Sequence, residues 1–391
     1  MKQTKKRLAK TKKLQFTAVA FLIFLLTTIL LNGCKKDTPD FEHTKQSIIK
    51  KLLNNAEKEP SYIVHAGGSI QAAIDAASPY SVIKIKAGIY KEALVVNKKG
   101  IVLIGEDQGS KQEVIIENPG EEENGISVTA NDFVLKNVTV RNFEDNGVYL
   151  NGVDGFLLLH VTAINNGDYG LFPVHSKNGL IEHCSASGHS DTGIYVGQST
   201  DVDINLSSAT ANVNGFEIEN SSNISASKNK SYNNVCGILV SLLPNLPVKV
   251  SSGISVLDNN ISDNNHVNFG NPSEGFESFV PSGSGILVVG VDKTIIKDNA
   301  ISDNKFVGIA TVSTLVLGSL AGLPPSAFAD IEPNPDGTRI INNKLKNNGS
   351  APPAGLPLPG VDLLWDGSGT NNCWSSNSYA TSYPTTLPNC N

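Results

Sequence analysis

A four-residue pattern, Gly followed by apolar, any, apolar, recurs along this chain at nearly constant spacing and limits the possible folds more than any other feature. It occurs at Gly125-Ile126-Ser127-Val128, Gly147-Val148-Tyr149-Leu150, Gly170-Leu171-Phe172-Pro173, Gly193-Ile194-Tyr195-Val196, Gly215-Phe216-Glu217-Ile218 and Gly237-Ile238-Leu239-Val240. Successive glycines lie 22, 23, 23, 22 and 22 residues apart, and later copies at Gly285, Gly308 and Gly360 follow after 48, 23 and 52. A fixed short period means repeated units, each burying its apolar residues against the next.

Between the copies run DFVLKNVTVRN, GFLLLHVTAINN, GLIEHCSASG, SVLDNNISDNN and TIIKDNAISDN, segments of alternating apolar residues with Asn or Gly at their ends. Two or three short strands and a polar corner per 22 residues predict an all-β fold, a single-stranded parallel β-helix of about eight coils stacked ~4.8 Å apart. The 391 residues include 35 Gly and 41 Asn, which helix interiors tolerate poorly. A helical bundle or doubly wound α/β fold is thereby excluded. Asn at equivalent corners can hydrogen-bond from coil to coil, so its excess is architectural.

The segment SIQAAIDAASPYSVIKIKAGIYKEALVV resembles the N-terminal cap of right-handed parallel β-helix proteins of the pectate-lyase-like type: a short amphipathic helix, a strand, then a Gly-Ile-Tyr turn. The repeats from about 100 to 349 are similar to the carbohydrate-binding and sugar-hydrolase β-helix class. Closer still is a resemblance to bacterial β-helix lipoproteins of unestablished function, often encoded beside a cytochrome-c-like protein. The resemblance specifies fold strongly and reaction weakly, because lyases, hydrolases, epimerases and non-enzymes share this scaffold.

Seven basic residues among the first thirteen precede an uncharged, largely apolar run from 14 to 31. The following Leu31-Asn32-Gly33-Cys34 resembles the lipobox of bacterial lipoproteins, in which the Cys is diacylated and becomes the new N-terminus. Lys35-Lys36-Asp37 resembles a lipoprotein surface-export signal. Removal of residues 1–33 would move the net charge from −6 to −13. Such a chain repels nucleic acid, which is bound mainly through Lys and Arg. Residues 1–33 are expected to be the signal peptide, 34–60 a tether with a short helix near 46–56, 61–349 the capped β-helix, and 350–391 the last coil and C-terminal cap. The expected location is the cell envelope, lipid-anchored at the outer membrane and facing the periplasm or the exterior, as a monomer.

Cys373 and Cys390 lie in a Ser/Thr/Asn/Pro-rich tail 17 positions apart, and a bond there would stabilise the end by ~3 kcal/mol in the chain-entropy model. Cys184 aligns with Val138, Val161 and Leu206 and reads as core; Cys236 lies two coils away, so both should be free thiols. His160 and His183 align with Asn137 and Asn205, which suits a ladder or turn. His189 and Asp191 sit in a Ser/Gly corner and read as solvated turn residues. No Cys or His spacing suggests a metal, haem or other cofactor.

Offset two from the motif Gly points outward and carries Ser127, Tyr149, Phe172, Tyr195, Glu217 and Leu239; the next corner adds Asn151, Val174, His175, Gly197, Gln198, Glu219 and Asn220. Aromatic faces beside amides and carboxylates suit sugar rings. Tyr149, Asn151, Phe172, Tyr195, Gln198, Glu217 and Glu219 are therefore the candidate binding residues. The richest coil, 167–199, also offers Asp168, Tyr169, His175, Lys177, Glu182, His183, His189 and Asp191. Lyase- or epimerase-like chemistry would take Tyr169, or alternatively Tyr195, with His175 for the acid and base roles and Lys177 to stabilise developing negative charge. Glu217 and Glu219, in one strand, are expected to face opposite ways or straddle the corner, a poor pair for glycoside hydrolysis. YGLFPVHS resembles the Tyr-Gly-apolar-Asp-Pro-His-acid signature of alginate C5-epimerases through Tyr169, Gly170 and Pro173. It departs at Phe172, at Val174 and in the one-residue displacement of His175.

Long, partly apolar insertions begin near Ser241 and Val312, at the corner of His175 and Gln198. Insertions concentrated at one corner can wall a groove beside a rigid sheet. Two functions are thus expected: polysaccharide binding or processing along the outward face, or a non-catalytic scaffold that docks a partner protein, such as a c-type cytochrome, through these apolar loops.

Overall fold

The computed structural model describes residues 41–106, 113–272 and 275–391. Cys34, the expected signal peptide and the expected export signal therefore lie outside the described residues.

A typical coil contributes three strands, as in Lys177–Glu182, Ser185–Ser187 and Thr192–Gly197, while in two coils the first two run on as one, Phe133–Arg141 and Asp154–Ile164. All strand pairs between coils are parallel, with Leu171 beside Ile194, then Phe216, Ile238 and Ile286. The first and second strands of the coils join one 20-stranded sheet, and the third strands form an 11-stranded sheet. Eleven rungs exceed the eight or so expected, because rungs such as Leu94–Val96 and Ser382–Tyr383 lack the Gly-initiated motif. Inward residues build one core along the axis, including Ile126, Val148, Leu171, Ile194, Phe216 and Ile238, all without exposed surface.

Side-chain ladders run along the three corners. After the second strand the column is Asn166, His189, Asn212, Asn234, Asn264, Asn304 and Asn348. In it Asn264 Nδ2 donates to Asn304 Oδ1 at 3.1 Å, and Asn234 Nδ2 donates to Asn264 Oδ1 at 3.0 Å. Another column passes from Cys184 through Ser207 and Asn229 to Asn259, Asn299, Asn343 and Asn377. The last corner carries Ser176, Ser199, Ser221 and Ser251. These bonds satisfy backbone N–H groups that the turns remove from the sheets.

Three sequence expectations change here. His189 is not solvated: it is fully buried in the Asn column, its Nδ1 against Asn212 Oδ1 at 2.8 Å. Burial draws its pKa down to about 4. His160 and His183 stack at 4.9 Å in left-handed turn positions, but the column continues to Leu206, not Asn205, and Cys184 is followed by Ser207 rather than Leu206. Counting back from each Gly slips by one where a 22-residue coil follows a 23-residue one. Both Cys184 and Cys236 are buried free thiols.

Ser69 accepts from Ala72 N–H to start a helix, Ile70–Ala76, whose buried Ile70 and Ile74 cover the first coil. At the other end Cys373 and Cys390 are bonded, with Trp374 buried between them and the core. A longer helix spans Phe41–Ala56. From Lys45 onward it is not a free tether. Leu52 seats against Val82, Val102, Val134 and Leu157, an apolar stripe on the outside of the first strands, while Lys45 and Lys51 pair with Asp203 and Asp132, each at 2.9 Å. Covering that stripe is the physical reason for the packing.

Candidate functional site

The outer surface of the 11-stranded sheet changes character along the rod. Its central column runs Ser127, Tyr149, Phe172, Tyr195, Glu217, Leu239, Leu287, Ala310 and Leu364, so aromatics give way to a carboxyl and then to aliphatics. Insertions cover the aliphatic part. Leu243, Val280 and Leu317 from three inserted segments pack on Leu239, Leu287 and Ala310 as a second apolar cluster. One of the three, 265–283, leaves from a different corner and carries no periodic signal, so sequence reasoning missed it.

Where the cover begins, a cavity of about 360 Å³ opens over the sheet. Its floor is Tyr169, Phe172, Tyr195, Glu217 and Glu219; its walls include Asp168, Asp191, Gln198, Phe276 and Glu277. That volume lies within the usual range for small-molecule sites. No Lys, Arg or His is among its described lining residues.

The aromatics are mutually ordered. Tyr149 and Phe172 stack at 5.4 Å, Tyr169 and Phe172 at 4.1 Å, and Tyr195 meets Phe172 edge-on at 4.8 Å. Asn151 Nδ2 supports the Tyr149 hydroxyl at 2.9 Å. Tyr149 and Asn151 thus stand outside the cavity, as a half-exposed platform leading toward it.

Six predicted residues meet at the cavity: Tyr169, Phe172, Tyr195, Gln198, Glu217 and Glu219. The predicted catalytic group does not assemble. His175 occupies an exposed left-handed corner and bonds Gln198 Oε1 at 3.1 Å. Lys177 lies around that corner on the adjoining sheet, paired with Asp154 at 3.4 Å. Glu217 and Glu219 share one face rather than facing opposite ways, because residues two apart in a strand point to the same side. Asp191 is likewise no solvated turn residue: it lines the cavity and is bonded by the Thr192 hydroxyl at 2.9 Å.

These carboxyls sit with no neutralising cation in the lining, so burial dominates their titration. Burial, then the charges of Asp191 and Glu219, pushes Glu217 well above the usual carboxylate range. Burial lifts Glu219 to about 7, against the hydrogen bond from the Tyr195 hydroxyl, and lifts Asp191 to about 6, against bonds from Tyr169 and Thr192. Both tyrosines are pushed well above their usual value, first by burial and then by the neighbouring carboxylates. Tyr169 is therefore a hydrogen-bond donor at neutral pH. Among the described residues no cluster of His, Cys, Asp and Glu is arranged to hold a metal ion.

A family model described as "Right handed beta helix region" matches residues 99–249. No curated protein matches the sequence. Among solved structures, the A-module of the Azotobacter vinelandii mannuronan C-5 epimerase AlgE4 is similar, with 18% identity and a TM-score of 0.55 over 82% of this chain and 96% of that one. The A-module of AlgE6 from the same organism gives 14% and 0.58, over 80% and 90%. The DFA-IIIase of Arthrobacter chlorophenolicus A6 gives 11% and 0.51, over 90% and 97%. At such identities these likenesses establish the course of the backbone alone. The chain folds as a right-handed parallel β-helix.

Proposed function

We propose that this protein binds or processes polysaccharide in the cleft over its 11-stranded sheet. The observation that carries this reading is the stacked platform of Tyr149, Phe172 and Tyr169 running into a walled cavity rich in hydrogen-bonding carboxyls. Aromatic faces hold the apolar sides of sugar rings, and carboxyl and amide groups take hydroxyls. A rigid sheet keeps the two at fixed spacing. The β-helix enzymes it resembles in backbone include proteins named as mannuronan epimerases, which makes a saccharide the natural first ligand to test.

The inserted loops bear on the alternative, a scaffold that docks a partner protein. In these loops Leu243 and Leu317 pack on the sheet, which leaves less apolar surface for a partner. Export through the lipobox-like Cys34 fits a polysaccharide ligand outside the cytoplasm. A glycan array probed with the purified protein is expected to show binding that Tyr149→Ala weakens about tenfold, since one stacking contact is worth ~1 kcal/mol or somewhat more. Absence of binding across neutral, amino and acidic glycans would overturn the reading.

A further inference from the structure

Along the outward column of the 11-stranded sheet, exposure falls in one direction. Val95, the first member, is 53% exposed; Ser127, Tyr149 and Phe172 are half-buried; Tyr195 and Glu217 keep only 4% and 5%. Beyond them Leu239, Leu287, Ala310 and Leu364 are all buried beneath the insertions. A molecule lying along this face therefore has an open approach from the Val95 side and no way onward past Glu217.

The closed end is a built wall. Leu239, Leu243 and Leu317 line the cavity there and pack on one another. Leu317 also lines a second pocket, of about 40 Å³ over Leu287 and Ala310, so it is the partition between the two. That second pocket is lined by apolar side chains alone and is too small for a sugar ring, since a single water takes ~30 Å³ of liquid. Forcing hydroxyls into it would strip them of hydrogen bonds. The insertions that make the wall are tied together: Thr314 Oγ1 donates to the Leu242 carbonyl at 3.0 Å, Asn245 N–H donates to Asp330 at 2.9 Å, Lys249 pairs with Asp330, and the Phe276 ring lies 6.4 Å from that of Phe328.

We propose that the cleft takes polysaccharide by a chain end: the terminal sugar enters the cavity and stops against Leu239 and Leu317, and the sugars that follow lie over Phe172, Tyr149 and Ser127 toward Val95. This rests on the carbohydrate reading of the cleft. The ligand is then a linear oligosaccharide or the free terminus of a longer chain, and not the interior of a polymer. Chemistry at the closed end agrees with its shape. A terminal sugar carries a free hydroxyl where an internal one continues into the next glycosidic bond, and Gln198, Glu217 and Glu219 line the cavity as hydrogen-bonding groups for it. From Glu217 back to Val95 the column covers five rung spacings, roughly 24 Å. Affinity should grow with chain length until that platform is filled and stay constant thereafter.

The test counts protein molecules per glycan chain. A β-1,3-glucan, chitosan and polygalacturonate, each as its hexasaccharide and as a much longer polymer of known chain length, are titrated with the purified protein by calorimetry. For whichever of them binds, one protein per chain is expected for hexasaccharide and polymer alike, with dissociation constants per chain within about threefold of each other. A chain bound through its interior offers overlapping sites all along its length, so the count and the affinity per chain would both rise with length. A count that rises with chain length, or a polymer that binds while its hexasaccharide does not, overturns the proposal and leaves the polysaccharide reading intact. Failure of every one of these glycans to bind overturns both.

Discussion

The Tyr195 hydroxyl donates to Glu219 Oε1 at 2.7 Å, and it can do so because the ring lies over Gly197. A Cβ at Gly197 would stand 1.9 Å from the Tyr195 hydroxyl oxygen. One missing side chain therefore positions both the aromatic floor and a carboxyl of the cleft.

Tyr195→Phe should keep the ring and remove the donor. The hydrogen bond favours ionised Glu219, so without it the Glu219 pKa, already lifted by burial to about 7, is expected to rise further. Gly197→Ala should produce the same rise by displacing the ring. A carboxyl ¹³C titration of the two variants against the parent protein measures it. An unchanged Glu219 in both would show that the bond does not exist in solution.

His189 makes stability depend on pH in a defined direction. Its folded pKa, about 4, lies below the 6.5 of the free side chain, so between these values the unfolded chain binds more protons than the folded one. Its contribution is complete above pH 6.5 and is lost as pH falls toward 4. Glu219 acts oppositely, contributing below its unfolded value of 4.5 and losing that contribution as pH rises through about 7. His189→Asn restores the ladder's own residue and isolates the first effect. Urea unfolding should show the parent losing ~3 kcal/mol relative to this variant between pH 6.5 and 4.

Asn264 is wholly buried and takes part in bonds to Asn234, Asn304 and the Ser231 carbonyl. Asn264→Ala would leave the Asn234 backbone N–H and Nδ2 without their acceptor and take the Nδ2 donor away from Asn304 Oδ1 and the Ser231 carbonyl. A loss of roughly 2–4 kcal/mol is expected, measured by denaturant midpoint at unchanged slope. A loss below 0.5 kcal/mol would mean that water replaces the ladder there.

Reduction of Cys373–Cys390 should release the C-terminal cap, since the closed loop of 17 residues accounts for ~3 kcal/mol in the chain-entropy model. Amide exchange is expected to speed up first in Cys373–Ser375 and Ser382–Tyr383 and to leave the central rungs protected. Equal acceleration along the whole rod would show that the end does not fray independently.

Much of the rod was legible because each rung reports its own orientation. Gly193, Ile194 and Val196 state the inward side of their strand, and the 22-residue period states that Glu217 lies beside Tyr195. Corners were less legible. A coil shortened by one residue takes up the change at a turn, which placed Asn205 where Leu206 stands. The candidate site was half visible: Tyr169, Phe172, Tyr195, Gln198, Glu217 and Glu219 follow from alternation, whereas Phe276 and Glu277 arrive on an aperiodic loop. His175 stands at a corner and Lys177 on the adjoining sheet, placements that depend on where the chain turns and not on alternation.

The sequence by itself determined the repeat, the inward and outward sets, the excess of Asn at corners and the cysteine pair, because these depend on spacing within one coil and its neighbour. Only the tertiary structure decided that the outward aliphatics are covered, that the cover stops at Glu217, and that Asp191, Glu217 and Glu219 share one cavity. Burial and the neighbouring carboxylates set their protonation, and both are properties of what several distant segments place around a side chain. No local pattern can state them.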